Sequence, residues 1–313
     1  MNTLALFREM LILFGVMLAG FLSAKAGVMN ADLNRNLSQL VALLTSPMQI
    51  LASVLSGARP MENRDVLLMT AIGVCVYVVL IFAAKLLPKL LRLEEKQAGV
   101  FQFLLIFSNV GYIGYPIIEA LFGEDYRFYA TVFVLVFQFF CWTYGVSLLS
   151  GEKMRLQIKA FLRPTILSAL LAYVFYFLKL PCPDTVYQVF NEIGKTTSPL
   201  AMLILGCSLA QLPLREVFGR WQLYVLCLLK MMILPFLAWL VLRLVLRDAF
   251  LLGVMSVILC MPAATNATII SYQYGGDEKL ASAGVFLTTL LSVATIPAMM
   301  WFLFTFLPSR FGG

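Results

Sequence analysis

Residues 108–116 read SNVGYIGYP and residues 261–268 read MPAATNAT, and both stretches interrupt segments that are otherwise apolar. Glycine and proline disrupt the hydrogen-bond ladder of a helix, and asparagine and threonine offer replacement partners for the freed backbone groups. Inside a membrane, unwound backbone is tolerated only where it is buried in protein or lines a cavity. The two stretches therefore predict a pair of broken transmembrane helices around a buried site.

The rest of the chain is strongly apolar. Of its 313 residues, 61% are hydrophobic and 12% are charged, whereas a soluble domain has about 45–50% and about 25%. At about 20 residues per bilayer crossing, the sequence predicts an all-α integral membrane protein forming a single unit over residues 1–313. About ten spans are expected, near residues 5–27, 34–56, 66–90, 98–121, 127–150, 163–180, 192–211, 219–246, 249–272 and 280–307.

The distribution of lysine and arginine predicts the orientation. Two connectors are basic, the third-to-fourth and the fifth-to-sixth, which hold Lys85, Lys89, Arg92 and Lys96, and Lys153, Arg155, Lys159 and Arg163. Both connectors lie on one side of a ten-span protein, and basic loops stay in the cytoplasm. We therefore expect a multi-pass protein of the cell inner (plasma) membrane with both termini extracytoplasmic.

The two halves of the chain share residues at a constant offset of 152. Thr-Ser-Pro at 45–47 recurs at 197–199, and four further pairs match: Asp32 with Asp184, Ser56 with Ser208, Gly123 with Gly275, and Asp125 with Asp277. A repeat of five spans is odd-numbered, so its second copy must be inserted upside down. This predicts two inverted repeats, 1–151 and 152–313, with broken helices 4 and 9 at matching places, a recurring design of secondary transporters.

Broken helices at the middle of the membrane suit an anion. The N-terminus of a half-helix carries partial positive charge and free N–H groups, which favour a carboxylate. Two charged residues also lie within the predicted spans, Lys230 in the eighth and Glu119 in the fourth, and such charges usually face a partner or a cavity. Lys230 is expected to pair with Glu119, to neutralise the substrate anion, or to replace a coupling cation.

Several other functions are excluded. The chain has no histidine, so a His-ligated metal site and a His general base are both absent. The sequence contains no GxSxG, Walker, HExxH or GxGxxG motif, so we expect no enzyme activity, no cofactor and no metal. The basic residues do not form an aromatic-studded stretch, and we expect no nucleic-acid partner.

At its broken helices the chain resembles the auxin efflux carrier family, which includes the plant PIN carriers and bacterial relatives. Residues 108–116 and 261–266 carry the resemblance, supported by residues 274–282 and by Leu229-Lys230 with Pro235. The resemblance covers essentially the whole chain. The connector near residues 151–164 is short, as in bacterial relatives, so the long cytoplasmic insertion of plant members is missing.

The resemblance implies ten helices in two inverted five-helix repeats, with helices 4 and 9 crossing at their breaks. It also implies a homodimeric scaffold, near 5–56 and 163–211, and a transport domain, near 66–150 and 219–307, that moves as an elevator. Asn109 and Asn266 would flank the substrate, and Pro116 and Pro262 would shape the crossing. The candidate substrate-binding residues are then Asn109, Gly111, Tyr112, Gly114, Pro116, Pro262, Thr265 and Asn266.

The leading hypothesis is a carrier in the lipid bilayer for a small organic anion, a mono- or dicarboxylate. The alternative is a sodium-coupled symporter of the bile-acid transporter type, which shares crossed broken helices. Sodium sites need clustered oxygen ligands, usually with an acidic side chain, and Glu119 is the only acid near the crossing regions. Replacement of a sodium ion by Lys230 would favour sodium independence.

Overall fold

The computed structural model describes residues 3–57, 62–151, 162–211, 217–246 and 248–306. These residues form helices and no strand, apart from one isolated bridge between Ser108 and Ala263. In the described part of the chain, seven helices are long and apolar enough to cross a membrane, and four apolar helices are shorter. Most of the fifth-to-sixth basic connector, including Lys153, Arg155 and Lys159, lies outside the described residues.

The helices in chain order are α1 (Thr3–Lys25), α2 (Ala31–Leu55), α3 (Asn63–Leu90), α4 (Glu95–Ile106), α5 (Val110–Phe122), α6 (Glu124–Ser150), α7 (Pro164–Leu178), α8 (Asp184–Ala210), α9 (Trp221–Val245), α10 (Ala249–Leu259), α11 (Asn266–Tyr274) and α12 (Glu278–Thr305).

Two predicted spans are each divided into two helices. The span expected at 98–121 is α4 followed by α5, and the span expected at 249–272 is α10 followed by α11. The breaks therefore fall where glycine, proline and asparagine predict them. One boundary was wrong by eight residues: the span expected from 192 begins at Asp184, because the first turns of α8 are amphipathic and resemble a polar connector in the sequence.

The helices pack as two groups of neighbouring helices that also contact each other. In the first, α1 packs along the second half of α8, and α2 packs against α7 and α8. A Cβ atom at Gly20 would collide with the backbone of Leu203, and one at Gly206 with the backbone of Met17. Small residues thus allow the close helix contact that membrane proteins use in place of hydrophobic burial.

The second group contains the two broken helices. Here α3 packs against α4 and α6, and α12 packs against α4, α9 and α11. The second group meets the first where α1 contacts α5 and α12, and where α6 contacts α2 and α7. The packing therefore places the broken segments inside the protein, where unwound backbone is tolerated.

Three prolines within the membrane helices follow a widened π-type turn. These turns are Val41–Thr45 before Pro47, Val110–Gly114 before Pro116, and Leu229–Ile233 before Pro235. A proline cannot donate a backbone hydrogen bond, and its ring clashes with the carbonyl four residues earlier. A π turn moves that carbonyl out of register, so each helix continues past its proline.

Two of the residue pairs that match at the offset of 152 have the same local roles. Gly123 ends α5 at φ +104°, and Gly275 ends α11 at φ +80°, both in a backbone region that favours glycine. Asp32 and Asp184 both lie in the first turn of a helix, where a carboxylate is stabilised by the helix dipole.

Candidate substrate site at the helix crossing

The two interrupted segments cross antiparallel and hydrogen-bond through their backbones. The amide of Asn109 donates to the carbonyl of Pro262 at 2.8 Å, and the amide of Ala264 donates to the carbonyl of Phe107 at 2.9 Å. These two bonds flank the bridge between Ser108 and Ala263. The crossing thus supplies partners for backbone groups that the breaks remove from the helical ladder.

The crossing brings two helix N-termini together, those of α5 at Val110 and of α11 at Asn266. Each contributes about half a positive charge and first-turn N–H groups that have no acceptor within the helix. A Cβ atom built on Gly111 would find no heavy atom within 4 Å, so the first turn of α5 faces open space. This space is suited to an anion by charge and by hydrogen-bond donors.

Two buried side-chain atoms at the crossing have no hydrogen-bond partner among the described residues. Asn109 is 3% exposed, and its Nδ2 makes no hydrogen bond with these residues. Thr265 is half-buried, and its Oγ1 also makes no hydrogen bond with them. A buried amide without a partner costs about 1–3 kcal/mol. These atoms are the most direct sign of a ligand position at the crossing.

The other predicted site residues lie at or near the same place. Tyr112 is half-buried in the first turn of α5, and Gly114 packs on Val110 within the same turn. Pro262 contributes its carbonyl to the crossing. Pro116, in contrast, lies seven residues after Asn109 in α5, so it shapes the helix beyond the break and not the crossing itself.

Asn266 contacts a residue that the sequence did not single out. Its side chain lies near the thiol of Cys141, which is buried in α6. Thr288 of α12 was also not singled out in the sequence, and its hydroxyl oxygen accepts a hydrogen bond from the backbone amide of Ala263 at 3.1 Å. The only signal for Cys141 and Thr288 in the sequence is a polar or thiol side chain within an apolar span, and many structural residues share that signal.

Lys230 binds the other side of the crossing. Its Nζ donates to the carbonyl of Leu105 at 2.9 Å and to Oγ of Ser108 at 3.1 Å, and the side chain is 2% exposed. Leu105 lies in the last turn of α4, where unpaired carbonyls and the negative end of the helix dipole favour a cation. Lys230 is itself part of a π turn, which is a common feature of functional sites.

Of the three alternatives expected for Lys230, the pair with Glu119 is wrong, because Lys230 binds Leu105 and Ser108 instead. Glu119 lies roughly 13 Å along α5 from Val110, at 1.5 Å per residue, and its nearest cation is Arg127, at 3.9 Å. Sequence spacing could not show this, because the site of Lys230 is defined by the break and Glu119 lies beyond it.

Arg127 is the centre of a charged network at the far end of α5. It is 4% exposed and donates to Oδ1 of Asn191 at 2.9 Å and to the Tyr187 hydroxyl at 3.3 Å, both in α8. Its guanidinium also binds Glu124, which in turn pairs with Lys195 at 3.4 Å. This network connects the two packing groups and leaves little capacity for a ligand.

Within the described residues, no group of three His, Cys, Asp or Glu side chains could hold a metal ion. The polar atoms at the crossing are instead an amide, hydroxyls and helix N-termini, which fit an anion better than a metal. The geometry therefore defines a multi-pass membrane protein with an internal polar site at two broken helices, the form of a transporter.

A family model described as "Membrane transport protein" matches residues 5–300. The chain belongs to this family, the auxin efflux carrier family. Members and homologues of the family are transporters, so this protein is a membrane transporter and not an enzyme.

Two similar proteins cover nearly the whole chain. One is an "Uncharacterized transporter" of Methanocaldococcus jannaschii, 24% identical over 94% of this chain and 97% of its own length. The other, of Rhizobium meliloti, carries the name "Putative malonate transporter" and is 26% identical over 92% of each chain. A further "Uncharacterized transporter", of Methanothermobacter thermautotrophicus, is 26% identical over 60% of this chain and 63% of its own length.

Proposed function

We propose that the protein is a secondary transporter of a small organic anion, a mono- or dicarboxylate, which binds at the crossing of the broken helices. The observation that carries the proposal is the side-chain nitrogen Nδ2 of Asn109, which has no partner among the described residues and lies beside two helix N-termini. A carboxylate would accept a hydrogen bond from that amide and from first-turn N–H groups. The relative named for malonate is consistent with a dicarboxylate.

The proposal includes ten helices in two inverted five-helix repeats, with α4–α5 and α10–α11 as the fourth and ninth. The shared roles of Gly123 with Gly275, and of Asp32 with Asp184, support it. Both termini would lie outside the cytoplasm, in the cell inner membrane. Cysteine labelling near the N-terminus, in intact cells and in inside-out vesicles, tests this orientation.

We also propose that transport proceeds by elevator-type alternating access, in which the group with the broken helices moves against α1, α2, α7 and α8. The small cavity between these groups supports this mechanism. Its lining is mainly apolar and rich in methionine, with Met10, Met17, Met202, Ile113 and Thr289 among the residues. Methionine adapts its shape readily, so this part of the contact permits sliding, whereas the hydrogen bonds from Arg127 to Asn191 and Tyr187 of α8 would have to break during the movement. A homodimer through the first group belongs to the same proposal and is tested by cross-linking.

The position of Lys230 argues against the alternative, a sodium-coupled symporter of the bile-acid type. In transporters with broken helices, sodium ions bind unwound carbonyls and half-helix C-termini. Here the ammonium group of Lys230 occupies such a position, bound to Leu105 and Ser108. We therefore propose sodium-independent transport, with Lys230 as the fixed cation.

The test is thermal stability of the purified protein with malonate, with monocarboxylates and with neutral analogues, each with and without sodium. A ligand at 100 times its Kd that binds only the folded state adds about 2.7 kcal/mol. We expect stabilisation by carboxylates alone, with loss of the effect in Asn109→Ala and in Asn266→Ala.

Asn34→Ala is the matched control, because its amide binds Ser208 at 2.9 Å in α8 and lies away from the crossing. It should keep the full response to carboxylates. Stabilisation by sodium with no carboxylate response would overturn the anion proposal and favour the symporter. A sodium response that develops only in Lys230→Ala would support the role of Lys230 as a fixed cation.

A further inference from the structure

Arg163, which precedes α7, is held on an aromatic surface. Its guanidinium carbon lies 3.3 Å from the centre of the Trp142 ring. The indole is fixed in turn, because its Nε1 donates to Oε1 of Gln138 at 2.8 Å and both side chains are buried. Stacking of this kind orients a guanidinium without using its N–H groups.

The N–H groups of Arg163 are left without a protein acceptor. Among the described residues, Arg163 takes part in no ion pair and donates no hydrogen bond to a carboxylate, carbonyl or amide. Partial burial lowers the pKa of the Arg163 guanidinium, because loss of water penalises the charged form. The group remains a cation at neutral pH, since an arginine pKa starts above 12. A half-buried cation whose five donors are unused by the described residues is suited to a carboxylate.

Arg163 is connected to the crossing through Cys141. Both Cys141 and Tyr274 lie close enough to Arg163 to interact with its charge. The thiol of Cys141 also lies near the side chain of Asn266 at the start of α11. Arg163 therefore lies on the same side of the crossing as Cys141. Glu119 and Arg127 lie at the C-terminal end of α5, away from the crossing.

One widened turn of α6 organises this region. The π turn Cys141–Gly145 carries Cys141 toward Asn266, Trp142 under Arg163, and Tyr144 toward Lys85, whose Nζ is 6.0 Å from the centre of the tyrosine ring. Lys85 also forms no ion pair with the described residues. Two cations over aromatic rings, with no carboxylate partner in the described part of the chain, favour a positive potential on this side of the crossing, which attracts anions.

We infer that Arg163 and Trp142 form an outer binding site that captures the carboxylate of the substrate before it reaches Asn109 and Asn266. This inference rests on the proposed function, because it requires an organic anion as substrate. Arg163 precedes α7 and Trp142 lies in α6, so their stack joins the two groups and would separate when the group with the broken helices moves. Loss of Arg163 should therefore raise KM on the side where it lies, with a maximal rate no lower than that of the unmodified protein.

The test measures uptake of radiolabelled malonate by right-side-out and inside-out membrane vesicles. For Arg163→Gln we expect KM to rise on the order of tenfold at one face of the membrane only, as expected for loss of a charge-assisted hydrogen bond. Arg163→Lys should give a smaller rise, because lysine keeps the charge but not the planar fork. If the Gln variant does not fold, the Lys variant and its thermal stabilisation by malonate provide the same comparison.

Arg243→Gln is the matched control, since Arg243 also stacks on a tryptophan, Trp239, at 4.8 Å, but is exposed on α9. An Arg163→Gln KM within twofold of that control would overturn the inference and leave the proposed function intact. A fall in maximal rate with unchanged KM, or a KM change at both faces, would also overturn it. Failure of the unmodified protein to transport or bind any carboxylate would overturn both.

Discussion

Two regions of this transporter contain a buried cation, and they differ in how that cation is partnered. Around Arg127, the guanidinium binds Glu124, Asn191 and Tyr187 and lies 3.9 Å from Glu119. At the crossing, Lys230 binds only neutral oxygens of the described residues, and the nearby side-chain nitrogen Nδ2 of Asn109 has no partner among them. The polar groups of the first region are bound to one another, whereas the second region contains a donor with no partner among the described residues.

This difference indicates that the charges around Arg127 stabilise the fold, whereas those at the crossing serve ligand binding. Buried polar groups are normally hydrogen-bonded, so a saturated network mainly fixes geometry. Unpartnered donors beside two helix N-termini have a free-energy cost that a bound anion would remove. Burial alone would have ranked Arg127 and Lys230 equally, and the identity of their partners distinguishes them.

The largest expected effect comes from opening the Arg127 network. Arg127→Met leaves Oδ1 of Asn191 without its donor and removes the cation that faces Glu119 and Glu124, of which Glu124 keeps Lys195. Breaking a buried pair costs about 3–5 kcal/mol, and we expect about 3 kcal/mol here because Glu119 and Glu124 are 34% and 49% exposed. Unfolding in detergent measures the loss, with Arg243→Met as the control. Equal stability of the two variants would show that the network is not structural.

The next effect sharpens the comparison by placing a carboxylate at the crossing. Asn109→Asp is isosteric, and an anion at a helix N-terminus is favourable, so the free energy of unfolding should not fall. Malonate affinity should drop at least about 100-fold, or about 2.7 kcal/mol, because the site then contains its own anion. Calorimetric titration measures the affinity, and Asn34→Asp is the control. Unchanged malonate binding would place the site elsewhere.

A smaller effect is expected at the support of the crossing. Thr288→Val removes the acceptor of the Ala263 amide, and an unsatisfied buried donor costs about 1–3 kcal/mol. We expect about 1–2 kcal/mol from unfolding in detergent. Thr289→Val is the neighbouring control, because its hydroxyl only donates to the carbonyl of Val285 within α12. The same loss in both variants would argue against a special role for Thr288.

The smallest effect is expected at the outer edge of the Arg127 network. The side chains of Lys195 and Glu124 are 43% and 49% exposed, and Nζ of Lys195 lies 3.4 Å from Oε1 of Glu124. Exposed ion pairs contribute about 0.2–1 kcal/mol to stability. Lys195→Gln should therefore lower stability by less than about 1 kcal/mol, and the difference should shrink as salt is raised. A large loss that does not depend on salt would show that this pair is as strongly coupled as Arg127.

Much of the fold was predictable because the constraints are local. Gly111, Pro116 and Pro262 weaken a helix wherever they occur, and the bilayer permits such weakness only inside the protein. The predicted breaks in the fourth and ninth spans are present in the structure. The boundary of α8 was not predicted correctly, because an amphipathic helix and a polar connector have similar composition over one or two turns.

The partners within the site were not predictable, because they depend on distant segments. Lys230 and Leu105 are 125 residues apart, and Arg127 and Asn191 are 64 apart. An intramembrane charge signals that some partner exists, but many carbonyls and carboxylates satisfy that requirement equally. This is why the expected Lys230–Glu119 pair was wrong.

The sequence by itself determined that this is a multi-pass membrane protein with two broken helices, because solvent and backbone chemistry act on each segment separately. Only the tertiary structure decided which polar atoms are paired and which are left for a ligand. The backbone bonds between Asn109 and Pro262, and between Ala264 and Phe107, exist only once the two segments cross. Packing brings these groups within hydrogen-bond distance, and that distance is a property of the whole fold.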